Sequence, residues 1–553
     1  MKNIIILLCV SITFSFSSIS QPTVGLIEES SGSLEGYVLF APFASKTTYL
    51  IDKCGSQINT WTSQYRPGYS CYLLEDGSLL RACDTNSVAW QGAIGGGIIE
   101  KHDWEGNLTW TYLLLNDTIY QDHDICPLPN GNVLAVVLNK KSSQFAISEG
   151  RNPALIGNAM WNTKILELHP IGTDSAEIVW EWSSFDHLIQ DFDNTKENYG
   201  IVSDHPELLN INFSAFANSP DWLHVNSVAY NQELDQIVLS SNHFCEFWII
   251  DHSITTAEAA SHSGGNSGKG GDILYRWGNP QAYSRGISTD QKLYNVHNAN
   301  WIKNGDPGEG EIILFNNGNG RPGGDYSTVD SYLTSYDSNS GDYLITSGQP
   351  YLPSTSSWSY SSPTPTDFFS AILAGAERLS NGNTLICEAT TGHFFEVTSD
   401  NEVVWNYVSP VGSNGIATQG SQPLNNYVYR CSLYEPDYPA FSNKTLTPGD
   451  QIELNPLPLN CLSVDIENVE TTNLSLTVFP NPFDYKLTFS FNTKHQENYS
   501  LLIYDYTGKI VLRKDKLLMK EHIIERDELP SNGLYFYTIH SVEFNSSGKF
   551  ILR

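Results

Sequence analysis

Short apolar or alternating runs, each closed by a Gly-, Pro- or Asn-rich turn, recur along most of the chain, whereas sustained helical periodicity is almost absent. One unit repeats: a strand, a turn such as Asp-Gly or Asn-Gly, and a returning strand. It stands out in Tyr72-Leu-Leu-Glu-Asp-Gly-Ser-Leu-Leu-Arg81, Cys126-Pro-Leu-Pro-Asn-Gly-Asn-Val-Leu-Ala135 and Glu377-Arg-Leu-Ser-Asn-Gly-Asn-Thr-Leu-Ile386. Residues 226–241 and 298–316 repeat it with longer turns. A second hairpin follows and ends at a Trp, as at Trp110, Trp182, Trp277 and Trp405, with Leu-x-Trp at the first of these, Val-x-Trp at the last, and 48–61 as an incomplete early copy. Two hairpins make a four-stranded antiparallel sheet, and a repeat of this size with a periodic Trp predicts propeller blades rather than a helical solenoid. The expected fold is therefore all-β: a six-bladed β-propeller with blades near 36–68, 69–114, 123–188, 224–280, 297–350 and 370–410. A pair of β-sandwiches is the competing arrangement.

Residues 294–325 are the stretch around which candidate chemistry gathers. His297 precedes a strand, a turn through Gly305, Pro307, Gly308 and Gly310 follows, and the returning strand 312–315 leads to Arg321. In an antiparallel hairpin those two ends share a side, so His297 and Arg321 are expected at one pocket. His123, His224 and, less clearly, His393 stand at comparable places in other repeats. The start of an innermost blade strand opens onto the central channel, so these imidazoles are expected to converge. Their neighbours Asn226, Asn298 and Asn300 are neutral hydrogen-bonding groups suited to an oxyanion, whereas metal sites usually enlist carboxylate or thiolate help. Asp122 and Asp124 flank His123 and are suited to orienting it. No metal or cofactor is expected. Trp222 and Trp301 are candidate platforms for an aromatic ring, although tryptophans more often build core.

Composition changes the picture at both ends. Residues 1–20 carry Lys2, an apolar run and closing serines, the pattern of a secretory signal peptide. No later apolar run is long enough to span a bilayer. Lys+Arg number 30 against Asp+Glu 61, a net charge of −31, which argues against nucleic acid or an anionic membrane as a partner. Beyond Cys9 the remaining cysteines lack CxxC spacing, so disulfides are expected rather than zinc. The Gly-rich stretch 261–271 follows no βα pattern; it reads as a long loop over the channel mouth, with Lys269 as an anion contact. A proline-bearing linker, 442–469, precedes a small β-rich module, 470–553, expected to form a β-sandwich.

Two resemblances complete the reading. The Phe-Pro-Asn-Pro start, the Ile-Tyr-Asp-Tyr-Thr-Gly-Lys centre and the final Gly-Lys-Phe-Ile-Leu-Arg resemble the C-terminal sorting domain of the type IX secretion system. That resemblance implies the type IX machinery as a partner and a secreted or cell-surface location. His123–Val137, the Trp-x-His-Val-Asn-Ser motif at 222–227, Phe247–Tyr283, His297–Arg321, Ala376–Trp405 and Val428-Tyr-Arg430 together resemble the bacterial arylsulfate sulfotransferases over about 36–441. The resemblance implies transfer of a sulfuryl group from a small aryl sulfate donor to a phenolic acceptor without a nucleotide donor. Carried over by motif, His297 becomes the nucleophile, His224 and His123 stabilise the sulfuryl oxygens or shuttle the phenolic proton, and Asn226 donates a hydrogen bond. The family often has an arginine where this chain has Asn242, with Arg321 or His243 as compensating groups. An aryl-sulfate hydrolase using the same pocket and a non-catalytic propeller binding glycans or proteins are the alternatives.

Overall fold

The computed structural model describes residues 22–87, 90, 95–213, 218–457, 461, 475–492, 498–505, 509–518, 521–540 and 545–553. The signal-peptide reading for 1–20 and most of the 442–469 linker beyond 457 lie outside them. The chain is all-β and divides into two compact units, Met1–Ser463 and Val464–Arg553.

Among the described residues, the first unit is built on six antiparallel sheets of four or five strands, with three small two-stranded pairings beside them. Taken from innermost strand outward, four of them are Arg66–Leu73 to Leu108–Leu113, Ile119–Pro127 to Ser175–Ser183, Val225–Asn231 to Tyr275–Trp277, and Val296–Trp301 to Trp358–Tyr360. The last runs from Gly375–Arg378 to Val403–Val408 and gains Gly25–Glu29 as a fifth, edge strand. The first sheet explains the incomplete early copy in the sequence. Its innermost strand, Val428–Tyr434, comes from the far end of the unit and pairs with Tyr37–Pro42, Leu39 opposite Ser432. The fifth sheet also reaches further than expected, to Tyr360 rather than 350, because a loop separates its third and fourth strands.

The six innermost strands touch one another in cyclic order, Arg66–Leu73 meeting both Ile119–Pro127 and Val428–Tyr434. Strands such as Gln236–Ser241 and Glu246–Asp251 are buried along their whole length, because each sheet is covered on both faces by its neighbours. The periodic tryptophans close the same ring. Each sits on the fourth strand of its sheet, and its indole N–H donates to a backbone carbonyl of the next sheet: Trp61 to Asp103, Trp110 to Ser175, Trp182 to Gly271, Trp277 to Pro353, Trp358 to Ser399, and Trp405 back to Lys53, at 2.7–3.1 Å. A buried indole needs such a partner for its N–H, so the repeat of Trp is a repeat of one latch. Cys54 and Cys461 form a disulfide; the other cysteines among the described residues are free.

In the second unit, a three-stranded sheet and a four-stranded sheet enclose one apolar core that includes Phe483, Leu487, Phe489, Leu501, Ile503 and Phe550.

Candidate active site

The early part of five of the six innermost strands departs from a regular ladder, Gly375–Arg378 being the exception. Register breaks fall between Pro67 and Cys71, at 122–124 opposite Val136, between Val225 and Ser227, between His297 and Asn300, and opposite Ala41 in the strand Val428–Tyr434. Such bulges re-aim side chains. Tyr69, His123, His224 and Asn298 all have left-handed backbone, φ 92°, 48°, 48° and 51°, as do Leu373 and Ala374 before the sixth sheet's inner strand. For non-glycine residues each such conformation costs on the order of 1–3 kcal/mol, and these cluster at functional sites.

Two bulged strands and one turn bring three imidazoles together. The rings of His123 and His224 lie edge to face, 4.7 Å apart, and His243, from the turn between Gln236–Ser241 and Glu246–Asp251, stacks on His224 at 4.8 Å. Tyr69 lies 5.2 Å from His123 and 5.1 Å from Tyr429, whose hydroxyl donates to the Asn226 carbonyl. His123 and His297 are nearly inaccessible, 1% and 2% exposed, and the His224 side chain is 14% exposed.

Each ring has a fixed partner. Nδ1 of His123 bonds the Asp122 carboxylate, and Nδ1 of His224 bonds Asp221 at 2.6 Å. Burial lowers the pKa of His224, but the Asp221 charge and hydrogen bond, with Asp122 nearby, outweigh it and hold the pKa above the ordinary value. Burial works against the Asp221 carboxylate too, yet the charges of His224, His243 and His123 bring it down to about 2. His243 goes the other way, to about 4, through burial and the charge of His224.

His297 is held neutral. Its burial, with the charges of His224 and His123, brings its pKa down to about 3 against the opposing Asn317 hydrogen bond. Nδ1 lies 2.6 Å from Asn317 Oδ1 and 3.3 Å from the Asn295 carbonyl, both acceptors, so Nδ1 carries the hydrogen. Asn317 cannot turn its amide round, because its Nδ2 donates to the Ser370 and Leu373 carbonyls. The lone pair therefore belongs to Nε2, which accepts the Leu373 N–H at 3.2 Å.

The remaining sequence candidates fall in several places. Asn226 donates one N–H to the Val296 carbonyl at 2.9 Å, and its Oδ1 is buried with no partner among the described residues. Asn242 accepts from Asn295 at 2.7 Å, so it braces the residue whose carbonyl meets His297. Arg321 lies in the loop beyond the returning strand, over Tyr326 at 4.2 Å and 3.3 Å from Thr328. His393 is not at the start of an innermost strand. It opens the third strand of its sheet and bonds Glu388 and Asn406, and Leu373–Ala374 occupy the comparable inner position. Trp222 packs in the core against Phe244, and Trp301 lines a cavity at the other end of the inner strands. Asp221, Asn317, Tyr69 and Tyr429 were not singled out by the sequence. The Asp-x-x-His spacing of Asp221 and His224 and the doubled asparagine at 316–317 were their visible signals.

No curated protein matches the chain. Solved structures with partial likeness include a protein of unknown function from Bacteroides caccae (10% identity, 72% of this chain and 99% of that one, TM-score 0.38). A streptogramin B lyase (12%, 76% and 96%, 0.34) and the periplasmic gluconolactonase of Pseudomonas aeruginosa (10%, 72% and 99%, 0.33) are others. Residues 477–553 match the secretion system C-terminal sorting domain, which marks the chain for type IX secretion to the cell surface or beyond. Residues 44–430, which hold His123, His224, His243, His297 and Tyr429, match the Arylsulfotransferase (ASST) family, and the chain belongs to that family of sulfuryl-transferring enzymes.

Proposed function

We propose that the six sheets are the blades of a propeller, 36–441, followed by a β-sandwich sorting domain, 470–553, and that the propeller moves a sulfuryl group between phenols through a sulfohistidine at His297. The observation that carries the reading is the pinned tautomer. A neutral imidazole with its hydrogen held on Nδ1 offers the Nε2 lone pair as a nucleophile, and burial keeps it unprotonated far below neutral pH. Sulfuryl transfer, like phosphoryl transfer, needs in-line positioning and charge stabilisation on the equatorial oxygens. Nε2 attacks sulfur, the S–O bond to the aryl group breaks, and the electron pair leaves with the phenolate oxygen. A phenol has a pKa of about 10, so its departure is helped by a proton donor. His224, whose imidazolium is favoured by Asp221, gives that proton. In the second half the acceptor phenol attacks the same sulfur, N–S cleavage returns the lone pair to Nε2, and His224 takes the acceptor's proton. His123, oriented by Asp122, supports the oxygens. The Leu373 N–H, released as Nε2 bonds sulfur, turns to a sulfuryl oxygen. Asn226 Oδ1 is an acceptor for a phenolic hydroxyl.

With 4-nitrophenyl sulfate alone, this scheme gives a burst of one 4-nitrophenolate per chain, and steady turnover begins only when phenol is added. Turnover indifferent to phenol contradicts it.

A further inference from the structure

The Gly-rich stretch 261–271 plays no part in the chemistry above, and its two ends converge on a third residue. His262 and Asp272 bracket the loop, and both meet His187, from the segment after the third sheet's outermost strand. Nδ1 of His187 and Nδ1 of His262 point at the same oxygen, Asp272 Oδ1, at 2.8 and 2.7 Å. The three ligating atoms all lie within 4.8 Å of one another. Hydrogen-bond accounting makes the arrangement unusual. Nε2 of His187 lies 2.8 Å from the Ala259 carbonyl, which can only accept, so Nε2 carries the hydrogen. In the neutral ring Nδ1 then presents a lone pair to a carboxylate oxygen, a contact made favourable either by a second ring proton or by a cation bound by all three groups. The remaining contacts are those of a supported ligand: a metal-binding imidazole commonly donates its other N–H to a backbone carbonyl. Trp182 lies parallel over His187 at 5.6 Å, and its indole donates to Gly271, fixing the ring from above. The Gly271 position is equally constrained, since a Cβ there would come within 2.7 Å of His187 Nε2.

We propose that His187, His262 and Asp272 bind a divalent transition metal of the zinc class, which joins both ends of the loop to the neighbouring sheet. Two imidazoles and a carboxylate suit zinc, and the exposed side of His262 leaves a fourth position open to water. Lys269, near the far end of the loop, pairs with Asp342 at 2.9 Å. The test uses the tag-free full chain, dialysed against a chelator and titrated with zinc chloride, with bound metal read by elemental mass spectrometry and by melting temperature. Wild type and His224→Ala are expected to hold one zinc per chain and to melt higher with zinc. His262→Ala, which removes an exposed ring and spares the fold, is expected to bind at least tenfold more weakly with no melting shift, and Asp272→Asn likewise. The proposal is overturned if wild type retains no zinc, if His262→Ala retains it equally, or if His224→Ala loses it.

Discussion

Toward their starts, the innermost strands are bulged in five of the six sheets, left-handed at several non-glycine positions, and lined by imidazoles and tyrosines. Toward their ends the same strands run into hairpins and surround a cavity of about 1370 Å³, whose walls include Tyr72, Tyr230, Trp301, Glu377, Arg430 and Asp437 but none of His123, His224, His243 and His297. Between the two stands a buried ion pair, Arg430 with Asp124. The cavity end has the volume, and the histidine end has the convergent polar groups. Under the proposed function the chemistry sits at the histidine end rather than at the cavity. Chemistry follows where backbone strain and second partners fix proton positions, because a nucleophile needs a defined lone pair more than it needs space.

The largest expected effect separates the two ends outright. His297→Ala lowers aryl-sulfate transfer by about 10⁴-fold or more, as loss of a nucleophile does, whereas Trp301→Ala in the cavity changes it by less than about threefold. Equal losses in steady-state assays would dissolve the distinction. Arg430→Gln leaves Asp124 buried without its partner and costs about 3–5 kcal/mol in urea unfolding. A loss below about 1 kcal/mol would mean the pair does not hold the ends together.

At the histidine end, His224→Gln is expected to slow transfer about 10²–10³-fold. Its pH signature is more telling. A raised pKa means the imidazolium is present at low pH and lost as pH rises through that value, so donor cleavage has a basic limb. Asp221→Asn moves that limb to lower pH, and a limb that stays put would assign it elsewhere. No acidic limb from His297 is expected until about pH 3. Asn317→Leu frees the His297 tautomer and should lower kcat about 10–100-fold with little change in KM. A change in KM alone would make Asn317 a binding residue.

The smallest effect concerns stability. The folded pKa of His297 lies below its unfolded value of about 6.5, so its neutral form contributes stability above that pH and loses it as pH falls toward 3. Wild type should therefore lose about 1–2 kcal/mol more than His297→Gln between pH 7.5 and 5 in urea titrations. Parallel losses would show that His297 ionises freely when folded.

Much of the ring was legible in the chain because its signals are local. Asp-Gly and Asn-Gly turns mark hairpins, and tryptophans such as Trp110 and Trp405 mark outer strands. The pairing of Tyr37–Pro42 with Val428–Tyr434 was not legible, since nothing near residue 37 announces a partner at the other end of the unit. The histidines at 123, 224 and 297 could be singled out by their shared position in the repeat. His393 could not be told from them, because at the level of hairpins a third strand also follows a turn. Arg321 stands out in the sequence and Asn317 does not: charge is conspicuous, but the group that fixes the tautomer is a neutral amide whose orientation depends on the Ser370 and Leu373 carbonyls. The backbone conformation that aims His123 and His224 belongs to the bulges and has no residue-type signature.

The most direct test is to expose the chain to 4-nitrophenyl sulfate without acceptor, quench, digest and map the modified peptide by mass spectrometry. A single sulfuryl group on the imidazole of His297, discharged by added phenol and absent from His297→Ala, is the predicted result. An unmodified chain that still turns over, or a sulfuryl group on any other residue, would contradict the account.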